Sequence, residues 1–411
     1  MHILYIHQHF TTPQGKGGVR SYQMARRLVD RGHRVTMVCG TFDGGNTGIT
    51  APFVDGMRRG NVDGIDVIEV NLVYSNQLSF IERSRLFFRF AFVSSRLAMT
   101  ERYDLIFATT TPLTVAVPGI LARWLRRKPF VFEVRDLWPE LPKAMGVITN
   151  PVVLAAMATL ERTAYRSADR VIGLAPGIVE GIRRHGIPAD RVVSVPNGCD
   201  MDIFASAAPV AIPGVGAGET IAIFTGTHGI ANGLDQLLDG AEILQRRGRT
   251  DIRIVLVGDG KLKADLIRSA ERRKLGNVLF LPPVSKHVLA SYLKAADIGV
   301  QCLKNIEAFY NGTSPNKFFD YLASGLPVLI NYPGWIADMV RTNDSGLAVP
   351  PGEPEALATA LEQMADDPVR RDMMGRNAQD LARREFDRDV LAARWVQTIE
   401  ATGPGTGRSA H

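Results

Sequence analysis

The chain has 411 residues, of which 45% are hydrophobic and 22% are charged. This length exceeds what one hydrophobic core usually serves, so we expect two domains, and the composition excludes a disordered or fibrous chain. Three cysteines, far apart in the sequence, are too few for a disulfide framework or a zinc site. The sequence contains no signal-peptide pattern and no run of ~18 uncharged apolar residues. We therefore expect a cytoplasmic protein, attached at most peripherally to the inner face of the plasma membrane.

The net charge of +6 is concentrated in the first half of the chain. Residues 1–200 contain 25 Lys and Arg against 17 Asp and Glu, whereas the rest contain 23 against 25. Nine of the basic residues lie between 83 and 128, opposed only by Glu101 and Asp104. A positive field of this kind indicates an anionic partner, either an anionic membrane or nucleic acid. An ordinary solvated basic face is the plainer interpretation.

Short apolar runs alternate with helix-period stretches along the whole chain. In the first half the predicted strands lie at 3–6, 35–39, 66–70, 105–108, 130–133, 171–174 and 192–195. In the second half they lie at 221–224, 253–257, 278–281, 298–301, 328–330 and 347–349. Strands that alternate with helices predict parallel sheets covered on both faces. The fold class is therefore α/β, with two Rossmann-like domains whose parallel sheets face one another across a cleft.

The domain boundaries follow changes in composition. Residues 1–204 form the N-terminal domain, and the Ala-, Pro- and Gly-rich segment 205–218 is a linker or loop. Residues 219–385 form the C-terminal domain, 386–401 a helix that returns to the N-terminal domain, and 402–411 a disordered tail.

Ligands of open parallel sheets bind beyond the carboxyl ends of the strands, so the loops there are the candidate sites. The loop at 13–20 contains three glycines and precedes a helix, whose N-terminal N–H groups suit an anion. Arg20 fills the third glycine position of the dinucleotide motif, which argues against a nicotinamide dehydrogenase. A plain tight turn is the alternative.

Two loops of the second half could hold phosphates. The segment Gly258-Asp-Gly-Lys261 follows a strong strand, and a lysine after glycines suits a phosphate. In the segment 313–328, Pro315 begins a helix on which Lys317 and Asp320 share one face. The lysine could neutralise a diphosphate, and the carboxylate could accept hydrogen bonds from sugar hydroxyls. A surface ion pair on a capped helix is an equal alternative.

These segments together resemble family 4 glycosyltransferases. The resemblance covers nearly the whole chain and is carried by Gly17-Gly18, Arg31-Gly-His-Arg-Val-Thr36, Val195-Pro-Asn-Gly-Cys-Asp-Met-Asp-Ile-Phe204, Gly258-Asp-Gly260 and Asp320-Tyr-Leu-Ala-Ser-Gly-Leu-Pro-Val328. Within the family, the segments 132–140 and 314–320 resemble the L-fucosamine-type transferases of surface polysaccharide synthesis.

The resemblance implies a GT-B fold, with acceptor binding in the N-terminal domain and a nucleotide-sugar donor in the C-terminal domain. It also implies transfer with retention of configuration, without an essential metal or other cofactor. The donor-site positions are Gly226, Thr227, Asn232, Gly258, Gly260, Lys261, Pro315, Asn316, Lys317 and Asp320.

The chain departs from the family pattern at the donor site. Two glutamates that many members place eight positions apart fall on Gly312 and Asp320, and the usual Arg and Lys fall on Thr227 and Asn232. Lys261, Lys317 and the N–H groups of residues 226–229 are left to hold two phosphates.

The expected catalytic loop follows the strand at 130–133. Asp136 is the first choice for the acidic group near the reacting sugar, with Glu140 and Arg135 as second choices, although Asp136 could equally cap a turn. The acceptor-side residues are Gly17, Gly18, His7 and His9, where packed histidines are an equal alternative. Asp-x-Asp sequences at 200–202 and 387–389 lie in a family motif and at the final helix, so no metal is expected.

We therefore expect transfer of an N-acetylated hexosamine, deoxy or not, from a UDP-sugar to a lipid-linked saccharide, of polyprenyl type, in polysaccharide, O-antigen or capsule synthesis. A UDP-sugar 2-epimerase of the same architecture is the rival enzyme. A nucleic-acid-binding protein is the non-enzyme rival, and no recognised binding module supports it.

The segment 78–99 combines phenylalanines and arginines. A helix there would place Arg85, Arg89 and Arg96 in one basic stripe and Phe80, Phe87 and Phe88 on another side. This composition is typical of a helix lying in a membrane interface, which would bring the enzyme to an anionic membrane surface. The alternative is that the phenylalanines are simply the core face of the helix.

Overall fold

The computed structural model describes residues 1–15, 17–75 and 78–403. The chain divides into two compact units. The first comprises Met1–Pro196, Gly312–Ser314 and the chain from Asp389, and the second comprises Asn197–Asn311 and Pro315–Arg388. The expected disordered tail lies outside the described residues from position 404 onward.

The first unit is built on an eight-stranded sheet. Its strands are β1 (His2–Ile6), β2 (Arg34–Phe42), β3 (Met57–Val62), β4 (Ile65–Tyr74), β5 (Leu105–Thr109), β6 (Phe130–Val134), β7 (Arg170–Gly173) and β8 (Val192–Ser194). They lie in the order β3-β4-β2-β1-β5-β6-β7-β8, and only the pair β3–β4 is antiparallel.

Strand β3 is absent from the prediction. Its sequence carries two arginines and a glycine, because it is an edge strand with little apolar surface to bury. Asp63 and Gly64 connect it to β4, and both have left-handed backbones with φ of 50° and 84°. This is the two-residue hairpin loop that Asp-Gly favours.

Helices pack against this sheet. They are α1 (Arg20–Asp30), α2 (Phe80–Thr100), α3 (Ala116–Leu125), α4 (Glu140–Ala144), α5 (Pro151–Ser167) and α6 (Pro176–Arg184). Helix α2 begins with a capping box formed by Ser79 and Glu82. It packs on α3, which packs in turn on α5, so these three helices form one layer.

The second unit is built on a six-stranded, all-parallel sheet. Its strands are β9 (Thr220–Thr225), β10 (Ile252–Val257), β11 (Val278–Leu281), β12 (Ile298–Gln301), β13 (Val328–Ile330) and β14 (Gly346–Ala348), in the order β11-β10-β9-β12-β13-β14. Its helices are α7 (Met201–Ala205), α8 (Asp235–Arg246), α9 (Lys263–Arg272), α10 (Lys286–Ala295), α11 (Glu307–Tyr310), α12 (Asn316–Ser324), α13 (Trp335–Thr342), α14 (Pro354–Asp366) and α15 (Pro368–Leu381), which continues as a π-helical segment over Ala382–Phe386.

The last helix, α16 (Arg388–Glu400), belongs to the first unit from Asp389 onward. Its Trp395 is fully buried against Tyr5 of β1 and Phe107 of β5, with ring centroids 6.0 and 4.9 Å apart. Burial of this large aromatic side chain attaches the helix to the first sheet.

The second unit begins at Asn197, earlier than the expected boundary after residue 204. The amide of Cys199 donates to the carbonyl of Phe386 at 3.0 Å, and Arg388 donates to the carbonyl of Gly198 at 2.8 Å. These bonds tie the segment that follows β8 to the end of the second unit.

The predicted fold class, an α/β protein with two Rossmann-like sheets, is confirmed. Strand order reverses between β1 and β5 in the first sheet and between β9 and β12 in the second. Such reversals open a crevice at the carboxyl ends of the strands, where ligands of doubly wound sheets bind. Among the described residues, no helix has both the length and the apolar character needed to cross a bilayer.

Candidate functional site

Two loops meet at the carboxyl ends of β9 and β10. A Cβ atom on Gly258 would lie 1.9 Å from the carbonyl oxygen of Gly226, and one on Gly260 would lie 2.7 Å from that of His228. The amide of His228 also donates to the carbonyl of Asp259 at 2.8 Å. Because a side chain is excluded at Gly258 and Gly260, the two loops join as one bare backbone surface beside the strand reversal.

Lys317, in the first turn of α12, reaches this surface. Its Nζ lies 3.9 Å from the ring centroid of Phe224 and donates to Oδ1 of Asn232 at 3.0 Å. A Cβ atom on Gly226 would be 3.4 Å from the same Nζ. In the described part of the chain, no carboxylate forms an ion pair with this ammonium. Burial lowers the pKa of Lys317 to about 7.

Asn232 fixes the orientation of Lys317. Its Nδ2 donates to the carbonyl of Thr227 at 2.7 Å while its Oδ1 accepts from the lysine. Pro315 precedes α12, and Asn316, the first residue of that helix, is exposed. The structure therefore brings Gly226, Gly258, Gly260, Asn232 and Lys317 together in one place.

The lysines of the second loop have different environments. Lys261 is exposed on the turn before α9. Lys263, which sequence reasoning did not select, donates from Nζ to the carbonyls of Gly258 at 2.7 Å and Leu281 at 2.9 Å. Lys263 thus braces the glycine loop from within the unit, whereas a contact of Lys261 with a donor stays a prediction.

Asp320 contacts a different cluster from Lys317, although the two share a helix. Asp320 is buried, which raises its pKa, and Nζ of Lys286 lies 3.5 Å from its Oδ1. The same Nζ lies 2.5 Å from Oδ2 of Asp200, which also pairs with Arg388. The two cations hold the pKa of Asp200 below its usual range despite its burial. In the described residues, no three His, Cys, Asp or Glu side chains converge as a metal site.

His228 could not be selected from the sequence, because a single histidine in a glycine loop carries no motif. Its side chain is fully buried, with the rings of Phe224 and Phe280 each 6.2 Å away. Neither ring nitrogen has a hydrogen-bond partner in the described part of the chain. Burial, reinforced by Lys263, lowers its pKa to about 4, so the imidazole is neutral at neutral pH.

A buried ion pair lies at the first helix of the first unit. Arg20, 2% exposed, donates from Nη2 to Oε2 of Glu133 at 2.8 Å, and Glu133 is fully buried. Arg20 also donates to the carbonyls of Val195 and Pro196 at 2.9 and 2.8 Å. Although burial opposes ionisation, Arg20 and Arg135 hold the pKa of Glu133 below its usual range. Arg20, which occupies the third glycine position of the dinucleotide motif, therefore links α1 to β6 and to the end of β8.

Arg135 extends this ion pair. Its Nε donates to Oγ1 of Thr109 at 2.8 Å, and its Nη2 donates to Oγ of Ser21 at 2.7 Å. Thr109 in turn donates to Oε1 of Glu133 at 2.8 Å. Arg135 is thus held within the first unit by the groups that surround Glu133.

The two candidate acids of the catalytic loop lie in unlike environments. Asp136 is half-buried, and burial raises its pKa to about 6 against the opposing effect of Arg135. Its carboxylate has no hydrogen-bonding side chain among the described residues. Glu140 is exposed at the start of α4, 3.4 Å from Nη2 of Arg184. The role of either carboxylate as the acidic group stays a prediction.

The predicted acceptor-side residues follow β1. His7 is buried and His9 partly so, with ring centroids 6.5 Å apart. Burial lowers the pKa of both, that of His9 to about 4. Gly17 and Gly18 are exposed in the loop before α1. Nδ1 of His7 and Nε2 of His9 are buried without a hydrogen-bond partner in the described chain.

The outer face of α2 differs from the prediction. Phe88 and Phe92 are 67% and 73% exposed, on the same face as the exposed arginines Arg85, Arg89 and Arg96. At 3.6 residues per turn these five side chains fall within an arc of about 100°. We call this set of five residues the α2 stripe. Phe80 and Phe87 lie on another side of the helix, as expected, whereas the placement of Phe88 away from the arginines is wrong. The buried residues of the helix are Phe90, Ala91, Ser94, Leu97 and Ala98.

Two family models match the chain. The model described as "Glycosyl transferase 4-like domain" matches residues 17–198, and "Glycosyl transferases group 1" matches residues 211–381. The chain belongs to these glycosyltransferases. The matches disfavour the epimerase alternative. The first model covers most of the first sheet, and the second model covers the second sheet.

Curated relatives of this glycosyltransferase are distant. A D-inositol 3-phosphate glycosyltransferase from Kineococcus radiotolerans is 30% identical over 266 residues, which cover 59% of this chain and 58% of that protein. A putative colanic acid biosynthesis glycosyl transferase, WcaI, from Escherichia coli K12 is 23% identical over 256 residues, covering 60% of this chain and 61% of that protein. The chain thus spans about three-fifths of the length of these relatives.

Solved structures share the fold. Sucrose-phosphate synthase from Thermosynechococcus elongatus superposes with a TM-score of 0.74 at 20% identity, covering 97% of this chain and 98% of that one. HepE from Anabaena in complex with UDP-glucose superposes with a TM-score of 0.67 at 19% identity, covering 98% and 100%. At these identities the likeness shows the fold of the glycosyltransferase and nothing finer.

The change Glu133→Gln tests the buried ion pair. We expect it to lower the free energy of unfolding by ~3–5 kcal/mol, because it leaves the buried guanidinium group of Arg20 and the half-buried one of Arg135 without their anion. Glu140→Gln removes an exposed ion pair and is the matched control, with an expected loss under ~1 kcal/mol. Urea unfolding followed by circular dichroism measures both, and equal losses in the two variants would show that Glu133 is not the anchor of this network.

Proposed function

We propose that this glycosyltransferase moves a sugar from a UDP-sugar to an acceptor in polysaccharide synthesis. The observation that carries the proposal is the ammonium of Lys317, which has no carboxylate partner among the described residues and lies over the joined backbone loops at the β9–β12 reversal. Two phosphates need positive charge, which Lys317 supplies, and N–H donors. The amides of Gly226 and His228 donate to the carbonyls of Val257 and Asp259, so within residues 226–229 the amides of Thr227 and Gly229 are the donors left for a ligand. Two similar proteins support a nucleotide-sugar donor and a polysaccharide product: HepE, whose structure is a complex with UDP-glucose, and WcaI, a putative glycosyl transferase of colanic acid biosynthesis.

Lys317 takes the role that other family members give to the loop after β9. That loop holds Thr227 and Asn232 where the resemblance leads us to expect Arg and Lys. Instead, Nζ of Lys317 donates to Oδ1 of Asn232 at 3.0 Å. The positive charge therefore comes from α12, and a residue of the loop orients it. As the bond to the sugar breaks, negative charge grows on UDP, and a cation fixed beside the diphosphate stabilises that state more than the ground state.

The finer features of the proposal rest on the sequence resemblance. The donor sugar is an N-acetylated hexosamine, in a hydroxylated or deoxy form, and transfer retains configuration without a metal. Asp136, with a pKa raised to about 6 by burial, is the proposed acidic group of the first unit. The proposed acceptor is a lipid-linked saccharide bound on the side of His7 and His9.

A UDP-sugar panel with and without acceptor tests this function. We expect thermal stabilisation by UDP-sugars but not by nicotinamide dinucleotides, and release of UDP only when a polyprenyl-linked saccharide is present. Turnover should persist in EDTA. Epimerisation of a UDP-sugar without acceptor, or activity that EDTA abolishes and Mn²⁺ restores, would contradict the proposal.

The same proposal includes attachment to the membrane that carries a lipid-linked acceptor. The α2 stripe places two exposed phenylalanines among three exposed arginines. Apolar rings can enter the acyl boundary while guanidinium groups contact anionic headgroups, each contributing about 1 kcal/mol near the surface. This composition supports reversible binding to an anionic bilayer.

Charge reversal of the α2 stripe tests membrane attachment. We expect the triple change of Arg85, Arg89 and Arg96 to Glu to abolish co-sedimentation with phosphatidylglycerol-containing vesicles, because three attractive charges become repulsive. A control that changes Arg272, Arg370 and Arg376 to Glu alters the net charge equally at exposed positions of the second unit. The attachment proposal is wrong if the two variants sediment alike, or if wild-type binding is insensitive to salt.

A further inference from the structure

A basic pocket lies at the end of the first sheet opposite the predicted substrate loops. It has a volume of about 450 Å³ and is lined by Arg123 and Trp124 of α3, Arg166 of α5, Asp169, Arg170 of β7 and Arg191. Arg170 begins its strand, so the pocket opens at the amino ends of the strands. A ligand bound there would be remote from the loops that follow β1 and β6.

The pocket keeps an excess of positive charge after its internal contacts are counted. Nη2 of Arg123 lies 3.0 Å from Oδ1 of Asp169, whose Oδ2 accepts from the amide of Phe130 at 2.9 Å. Asp169 is therefore neutralised by one arginine. The other three guanidinium groups have no carboxylate partner within the described residues.

Two of these guanidinium groups are held in place by main-chain carbonyls. Arg191 donates from Nη2 to the carbonyls of Ala168 and Arg166, and Arg170 donates from Nη1 to that of Asp169 at 3.1 Å. Each uses one nitrogen of its fork and keeps other N–H donors for a ligand. Fixed, planar donors of this kind suit the oxygens of a phosphate group.

The rim of the pocket is apolar. Trp124 and Leu125 are 63% and 66% exposed at the end of α3. Tryptophan favours the boundary between headgroups and acyl chains, where its ring is in apolar surroundings and its N–H stays hydrated. An apolar rim beside a cationic pocket matches a lipid better than it matches a free ion.

The pocket and the α2 stripe belong to one helical layer. Nη1 of Arg126 donates to the carbonyls of Ala98 and Glu101 at 2.8 and 2.7 Å, which joins the end of α3 to the end of α2. Helix α3 also packs on α5, which supplies Arg166. The pocket and the α2 stripe therefore lie on neighbouring helices of the first unit.

We propose that this pocket binds the phosphodiester headgroup of an anionic membrane lipid, as a docking site separate from the donor and acceptor sites. The phosphate lies among Arg166, Arg170 and Arg191, while Trp124 and Leu125 contact the glycerol and the first carbons of the acyl chains. The inference rests on the membrane attachment proposed above, but its test needs neither transferase activity nor the α2 stripe.

Soluble short-chain lipid provides the test. Dihexanoyl phosphatidylglycerol, kept below its micellar concentration, is titrated into the full-length protein by calorimetry. We expect saturable binding that weakens at least tenfold in the double variant Arg166→Ala with Arg170→Ala. A control with Arg162→Ala and Arg183→Ala removes two exposed charges of the same unit outside the pocket and should bind as the wild type does. Inorganic phosphate should bind at least tenfold more weakly than the lipid, because it lacks the contacts with Trp124 and Leu125.

The outcomes separate the possibilities. Equal lipid affinity in the pocket variant and its control would overturn the site, and phosphate binding as tight as lipid binding would overturn the lipid assignment. UDP affinity, measured on the same samples, reports that the variants are folded. If the α2 variant no longer binds vesicles but still binds the short-chain lipid, the result would support two separate lipid contacts, one at the α2 stripe and one at the pocket. Pocket binding without any vesicle binding by the wild type would contradict the attachment proposal alone.

Discussion

The backbones of Gly226 and Gly258 approach so closely that no side chain fits between them, and the proposed donor region of the second unit depends on this approach. It joins the loops after β9 and β10 into one surface at the point where the strand order reverses. The amides of Gly226, Gly258 and Gly260 donate to neighbouring oxygens of the unit, and this backbone supplies no charge. Lys317 provides that charge from a neighbouring helix, with Phe224 beneath its Nζ and Asn232 beside it. The proposed site thus depends on the reversal of strand order, on glycines that let the two loops approach, and on a lysine that comes from α12 instead of from the loop after β9.

Much of this could be predicted from the sequence, because strands and helices of buried parallel sheets have strong hydrophobic patterns. The helix between Pro315 and Gly325 was predictable from its two boundary residues. Strand β3 was not, since an edge strand buries little, although Asp63-Gly64 is a hairpin signal. Helical spacing predicted that Lys317 and Asp320 share one face. Spacing cannot reveal that Asp320 pairs with Lys286, which is distant in the sequence. Arg20 in a glycine loop excluded a dinucleotide motif, yet nothing local revealed Glu133 as its partner.

The first unit carries its charges in two distinct ways. Arg20 donates hydrogen bonds to Glu133 within the unit, and Arg135 donates to Thr109 and Ser21. These bonds fix the loops after β6 and before α1. The α2 stripe and the pocket at Arg166 instead present guanidinium groups outward beside exposed aromatic rings. A buried cation destabilises the fold if its anion is removed, whereas unpaired outward cations attract an anionic surface. Composition alone shows the basic excess of this half and cannot separate these two groups.

Proton uptake on UDP binding tests the role of Lys317 most directly. In the free protein burial lowers the pKa of Lys317 to about 7, so at pH 8 the lysine is mainly neutral. A diphosphate beside Nζ raises that pKa, and binding must then draw a proton from the buffer. Calorimetry at pH 8 in buffers of different ionisation enthalpy should show uptake approaching one proton in the wild type, and affinity that falls as pH rises above 7. Lys317→Ala should show no uptake and bind UDP ~1.5–3 kcal/mol more weakly, the usual contribution of a charge-assisted hydrogen bond. Equal uptake and equal affinity in the two proteins would contradict the account.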